Sequence, residues 1–301
     1  MQAPMCRDCF AGTLRGDATP AGTEETIHGV PTYVARPAPG VEPLGTVVIL
    51  TDAFGWKLRN TRALADAYAQ RVPCTVYVPD FMNGHAIPEH VLSLTEAKPP
   101  PTAWFVTRAL HKIFTTLSLV PLLLRFLFHN RQAVAHPRVL SFMTALRGNG
   151  TDNKVGVAGF CWGGLHAVLL THDTPQNTTV AVHDGVRRPL IDCAFTAHPS
   201  LLSVPAHIEG VVRPLSVANG EDDQYMGREK MQKLKGIMEG KNGEGGGGGG
   251  GEEKYEVVVY PGAKHGFAVR GDRDDPLQRE RGEQSEEQAV RWFRRWFAEE
   301  G

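Results

Sequence analysis

This sequence has no excess of charge, no even set of regularly spaced cysteines and no uninterrupted apolar run long enough to span a membrane. Its 32 basic residues face 33 acidic ones, for a net charge of −1. The chain therefore carries no field that would draw nucleic acid or an anionic bilayer. Five cysteines, odd in number and irregular in spacing, do not make a disulfide framework, and a reduced, cytoplasmic compartment is expected. The opening MQAPMCRDCFAGTLRG lacks the apolar centre of a secretory signal. The most apolar stretch, Ile113 to Phe128, falls short of the ~20 residues a span needs and is broken by Pro121 and Arg125. It reads instead as a lid or a core-packing helix. Cys6 and Cys9 form a lone C-x-x-C with no second pair, a weak signal for zinc or redox chemistry. There is no dinucleotide fingerprint, no phosphate loop, no metal-ligand cluster and no internal repeat. No metal and no cofactor is expected; the expected partner is a small molecule, not nucleic acid, and the oligomeric state stays open.

What remains is ordinary globular material, 42% hydrophobic and 22% charged. The runs 45–51, 74–78, 154–160, 191–197, 214–218 and 254–260 read as buried strands, with helical stretches at 60–72, 136–146, 228–238 and 283–299. Strand, helix and strand alternate from residue 45 to 78, a βαβ unit that calls for a parallel sheet. The organisation expected is an N-terminal arm over 1–42, then one α/β domain over 43–301. The apolar segment near 113–128 lies inside that domain. So does a glycine-rich insertion near 239–253, expected to be disordered because it has nothing to bury.

Chemistry concentrates at Gly159-Phe160-Cys161-Trp162-Gly163, a G-x-C-x-G between a strand and a small-residue helix. A turn this tight needs residues without side chains two before and two after its apex. The apex cysteine would stand at a helix N-terminus, where free N–H groups favour an anion and lower a thiol pKa. A buried structural cysteine is the plain alternative. Asp52, His198, Asp223 and His265 also stand at strand ends, where α/β sheets open their ligand crevice. Taken singly, Asp223 is a turn residue and His265 a loop histidine. In the order Cys161, Asp223, His265 they match nucleophile, acid and base.

These residues, with Thr51-Asp52-Ala53-Phe54-Gly55, Tyr77-Val78-Pro79-Asp80, His198-Pro199-Ser200, Gly220-Glu221-Asp222-Asp223 and His265-Gly266-Phe267, resemble the dienelactone hydrolase family from Cys9 to Phe297. The resemblance implies a single α/β-hydrolase fold with a mainly parallel central sheet and helices on both faces. It implies hydrolysis of a small ester or lactone, as in a carboxymethylenebutenolidase-type reaction, through a thioester on Cys161. His265 would be the base and acid, Asp223 its orienter, and the N–H groups of Ala53 and Trp162 the oxyanion hole. Asp52 stands where family members carry a glutamate that pairs with the resting thiol; it is expected either to tune Cys161 or to cap the turn after its strand. Phe54, His198, Phe267 and Arg270 are expected to line the substrate pocket. Val269 occupies the place of an arginine that holds the substrate carboxylate in the family, and Arg270 follows it. The alternative is a non-catalytic protein of the same fold that binds a ligand or partner.

Overall fold

The protein is described here by a computed structural model over residues 19–91, 119–148, 153–180, 185–244, 253–270 and 275–298. The β-branched runs become the strands of one eight-stranded sheet: β1 (Thr23–Ile27), β2 (Val30–Ala35), β3 (Gly45–Leu50), β4 (Thr75–Pro79), β5 (Lys154–Phe160), β8 (Cys193–Ala197), β9 (Leu215–Gly220) and β10 (Tyr255–Tyr260). Their spatial order is β1-β2-β4-β3-β5-β8-β9-β10, and a separate ribbon pairs β6 (Thr178–Val180) with β7 (Arg187–Pro189). From β4 to β10 every neighbour is parallel; only β1 with β2 and β2 with β4 run antiparallel. Strands buried on both faces need no polar alternation. Accordingly Val47, Val48, Ile49 and Leu50 are all fully buried.

Five longer helices cover the sheet: α1 (Arg59–Arg71), α2 (Gln132–Gly148), α3 (Trp162–Leu170), α4 (Arg228–Glu244) and α5 (Pro276–Ala298). Side chains alternate along a strand, so Gly156 and Gly159 of β5 open opposite faces. A Cβ on Gly156 would meet the Phe293 ring of α5 at 2.7 Å, and one on Gly159 would meet Ala167 of α3 at 2.6 Å. Thus α5 and α3 press on the two faces of the same strand. Phe293 also meets Tyr68 of α1 at 6.0 Å between ring centres, placing α1 beside α5.

Three elements differ from the sequence expectation. The stretch 1–42, read as an arm with one strand-like run at residues 31–35, supplies two strands of the sheet, β1 and β2. The two-residue turn His28-Gly29 has φ of 50° and 79°, the positive values that suit a tight hairpin. Helix α5 starts at Pro276 and not near 283, because Asp275 Oδ1 accepts the N–H groups of Leu277 and Gln278. Aspartate before proline is a start signal that the apolar stripe alone does not show.

The third difference corrects the glycine-rich insertion. Residues 239–244 are not disordered but continue α4. Asn242 clasps Tyr255 in both directions, donating to its carbonyl at 2.9 Å and accepting its N–H at 3.0 Å. That docking offsets the poor helix propensity of Gly240 and Gly243. The apolar stretch is helical where it is described, over residues 119–129, as a lid or packing helix would be, with Phe126 buried and Val120, Leu124 and Phe128 exposed. Among the described residues no helix is long and apolar enough to cross a membrane. Cys6, Cys9, residues 113–118 and residues 245–252 lie outside the described residues.

Candidate active site

The sheet turns over between β3 and β5: β4 lies on one side of β3 and β5 on the other. Such a switch point opens a crevice at the carboxyl ends of the strands. β5 ends at Phe160, and Cys161 takes φ 51° and ψ −110° before α3 begins. A non-glycine residue held there is strained and persists only where its surroundings enforce it. The enforcement is visible on both sides. Cys161 N–H donates to Ala197 O at 3.3 Å, and its carbonyl accepts Ser200 N–H at 2.9 Å. Gly163 N–H donates to Thr51 O at 3.1 Å, and a Cβ there would sit 2.0 Å from Leu50 O. The glycines of the motif are thus required by close approach, and the Thr51–Gly163 bond brings the Asp52-Ala53 turn to the same rim.

Trp162 is the first residue of α3, so its N–H has no intrahelical acceptor. Its indole N–H donates to Asn130 O at 2.9 Å, and Phe126 meets its ring edge-on at 6.4 Å. The 119–129 helix therefore rests on the elbow tryptophan. Ala53 is buried on the other side of the rim, and its carbonyl accepts Ile87 N–H at 2.8 Å.

Beyond β9 and β10 the acid and base meet. His265 Nδ1 lies 2.8 Å from Asp223 Oδ2, and both side chains are wholly buried. The other oxygen, Oδ1, accepts the N–H groups of Tyr225 at 2.8 Å and Met226 at 3.2 Å. Three atoms thereby fix the carboxylate, which can hold one tautomer of His265. Asp222 is exposed, and its N–H is bonded to Ala263 O. It is Asp223, not its neighbour, that faces the histidine.

The remaining expected site residues form a buried layer around this pair. Asp52 Oδ1 accepts Phe54 N–H at 3.0 Å, and its Oδ2 lies 3.4 Å from Arg270 Nε, both groups about 1% exposed. The Arg270 guanidinium covers the Phe54 ring at 5.2 Å. Burial raises the Asp52 pKa, opposed by Arg270, the Phe54 N–H and His265. His198 meets His265 edge-on at 5.0 Å and Phe267 at 5.7 Å. It is fully buried, and among the described residues neither of its ring nitrogens has a hydrogen-bond partner. Burial, then the nearby His265 and Arg270, hold it well below the usual imidazole pKa, so it is neutral. Phe54, His198, Phe267 and Arg270 are at most 4% exposed, so they pack beneath the rim and not on its surface.

Two features escaped the sequence reading. Ser200 Oγ lies 3.7 Å from Cys161 Sγ, a contact that its place in the His198-Pro199-Ser200 motif does not reveal. Behind Trp162, His166 of α3 and His136 of α2 bring their Nδ1 atoms to 3.1 Å. Nothing in a single sequence pairs histidines 30 residues apart on different helices. Among the described residues there is no group of three metal-ligating side chains.

A mainly parallel sheet whose central strand ends in a strained strand-to-helix elbow defines the α/β-hydrolase class of fold. Within it the chain belongs to the dienelactone hydrolase family, whose sequence profile matches residues 30–297. It is 24% identical to Hydrolase pyvD of Aspergillus violaceofuscus, covering 98% of each chain. It is 26% identical to a carboxymethylenebutenolidase homolog of Rattus norvegicus, covering 92% of this chain and 91% of that one. Among solved structures, Thermogutta terrifontis esterase 2 superposes with a TM-score of 0.57 at 16% identity, over 93% of this chain and 98% of that one.

Proposed function

We propose that the protein hydrolyses a small carboxylic ester or lactone through a Cys161-His265-Asp223 triad. The observation that carries this reading is the buried 2.8 Å contact of His265 with Asp223, in a chain whose only strained strand-to-helix elbow among the described residues bears a cysteine. Family membership and relatives named as hydrolase and carboxymethylenebutenolidase homolog support the reaction class.

In this scheme Asp223 keeps the proton on Nδ1 of His265, leaving Nε2 to take the thiol proton of Cys161. The thiolate adds to the substrate carbonyl, and the N–H groups of Trp162 and Ala53 hold the resulting oxyanion. Collapse breaks the ester C–O bond, and His265 returns the proton to the departing alcohol oxygen. In a lactone that oxygen stays tethered to the acyl group. Water, deprotonated by His265, then attacks the thioester, and the sulfur leaves as the thiol. No cofactor enters these steps.

Asp52 is assigned to biasing the resting thiol, through the charge it shares with Arg270. An Asp52→Asn variant tests this: the pH profile of Cys161 ionisation should move down if a carboxylate opposes the thiolate. The decisive test of the function is a panel of activated esters and lactones offered to wild type and Cys161→Ala. Turnover in the wild type that vanishes in Cys161→Ala supports the triad. Silence of the wild type toward every ester and lactone would instead favour a binding protein on the same fold.

A further inference from the structure

The loop that follows β8, residues 198–201, reaches both working members of the triad. His198 puts its ring against His265, and Ser200 puts its hydroxyl 3.7 Å from the sulfur of Cys161. The loop bends hard to do so: His198 and Leu201 have φ of 39° and 63°, values that non-glycine residues rarely adopt. Ser200 sits between these strained positions, 5% exposed, with its N–H already committed to the Cys161 carbonyl at 2.9 Å. A serine tied by its backbone to the nucleophile, and by its side chain to the nucleophile's sulfur, has little freedom to point elsewhere.

We propose that Ser200 is a catalytic hydrogen-bond donor that stabilises the Cys161 thiolate. The proposal rests on the reading of Cys161 as the nucleophile. In the neutral state either group can donate, S–H to oxygen or O–H to sulfur. Once Cys161 has given its proton to His265 the sulfur can only accept, so the hydroxyl turns to donate. A hydrogen bond made to the charged form alone lowers the pKa of the group that accepts it. Water can do little of this, because Cys161 is only 3% exposed. Asp52 cannot supply the bond, being an acceptor that faces Phe54 and Arg270. His265 supplies the proton sink, α3 supplies the helix end, and Ser200 supplies the one neutral side-chain donor that the sulfur has within hydrogen-bond reach among the described residues. When the thioester forms, the sulfur loses its charge and the hydroxyl is released. The stabilisation therefore acts on the thiolate as it attacks the carbonyl.

The test reads the sulfur directly and needs no substrate. Thiolate absorbance near ultraviolet wavelengths is titrated against pH in wild type, with the Cys161→Ala trace subtracted so that only Cys161 is seen. Ser200→Ala should raise the midpoint by about one pH unit, the scale of one hydrogen bond to a charged group. Ser200→Thr keeps a hydroxyl and should return the midpoint toward wild type. Ser200→Gly, which also lacks the hydroxyl, should match Ser200→Ala, so an upset of packing in one variant does not decide the outcome. An unchanged midpoint in both hydroxyl-free variants overturns the proposal, as does a Ser200→Thr midpoint equal to that of Ser200→Ala. Failure of the nucleophile reading looks different. In that case the ester panel is unaffected by Cys161→Ala, whatever the titration shows.

Discussion

Two pairs of histidines lie around the Cys161 elbow, and they are built differently. His265 and His198 lie beyond the carboxyl ends of β8 and β10, their rings 5.0 Å apart, with Asp223 bonded to one of them. His136 and His166 lie behind Trp162 with their Nδ1 atoms 3.1 Å apart, and the titratable groups acting on them are other histidines, His172 on His136 and His136 on His166. Burial lowers the pKa of His136 to about 4 and that of His166 to about 3. The difference lies in the carboxylate. Where Asp223 is present, one ring has a fixed tautomer and a counter-charge for its protonated form, which a general base needs. Where none is present, two neutral rings share a hydrogen bond and serve as packing against the indole, 4.5 Å from His166. A buried histidine is not a base until something nearby will hold its charge.

The sharpest way to break this contrast is to remove the carboxylate. Asp223→Asn should lower kcat/KM for an activated ester by ~10³- to 10⁴-fold, the scale seen when a triad loses its orienting acid. Asp222→Asn, on an exposed side chain, should leave the rate close to wild type. If the two variants exchanged these effects in parallel kinetics, Asp223 would be a turn residue and the comparison would collapse.

The second pair is tested through stability against pH. Both groups have folded pKa values below the ordinary 6.5 of the unfolded chain. As pH falls below 6.5 the unfolded chain takes up protons that the folded protein refuses, so stability drops. It is fully present above about pH 6.5 and declines through the window down to about pH 3 to 4. Each group contributes at most about 1.4 kcal/mol per pH unit. Urea titrations at pH 7 and pH 5 should show this loss in the wild type, and a His136→Phe, His166→Phe double variant should lose less between the same two pH values. An equal loss in both proteins would mean that the acid sensitivity lies elsewhere.

A smaller effect serves as the control that touches neither pair. Asn242→Ala removes the clasp on Tyr255 and should cost about 1 kcal/mol by the same urea titration. Its esterase rate should match wild type, because β10 is displaced little and His265 is five residues beyond its end.

Much of this site was legible in the chain because its parts obey short-range rules. The elbow is a spacing of two glycines about Cys161, and the acid and base each follow a β-branched strand. The sheet was legible for the same reason: Gly45–Leu50 and Lys154–Phe160 have no polar alternation, so both faces had to be covered. What stayed hidden was of two kinds. Weak local signals were outvoted by composition, as when the glycines near residue 240 concealed the last turn of α4. Contacts between distant segments left no local trace at all: Ser200 against Cys161, Arg270 against Asp52, and Asn130 under Trp162. Periodicity reports which face of an element is buried. It does not report which residue of another element lies opposite.

The strand order also bears on how the site comes into being during synthesis. On one side of β3 the strands β5, β8, β9 and β10 join the sheet in the order in which a ribosome would release them. Each can dock on an edge that already exists, so growth on that side needs no rearrangement of earlier strands. The thiol elbow is then completed with β5 and the loop after β8, while His265 arrives only behind β10. Under the proposed triad, a nascent chain would carry the Cys161 sulfur through that interval before its base is in place, so the proposed nucleophile is built first and completed last.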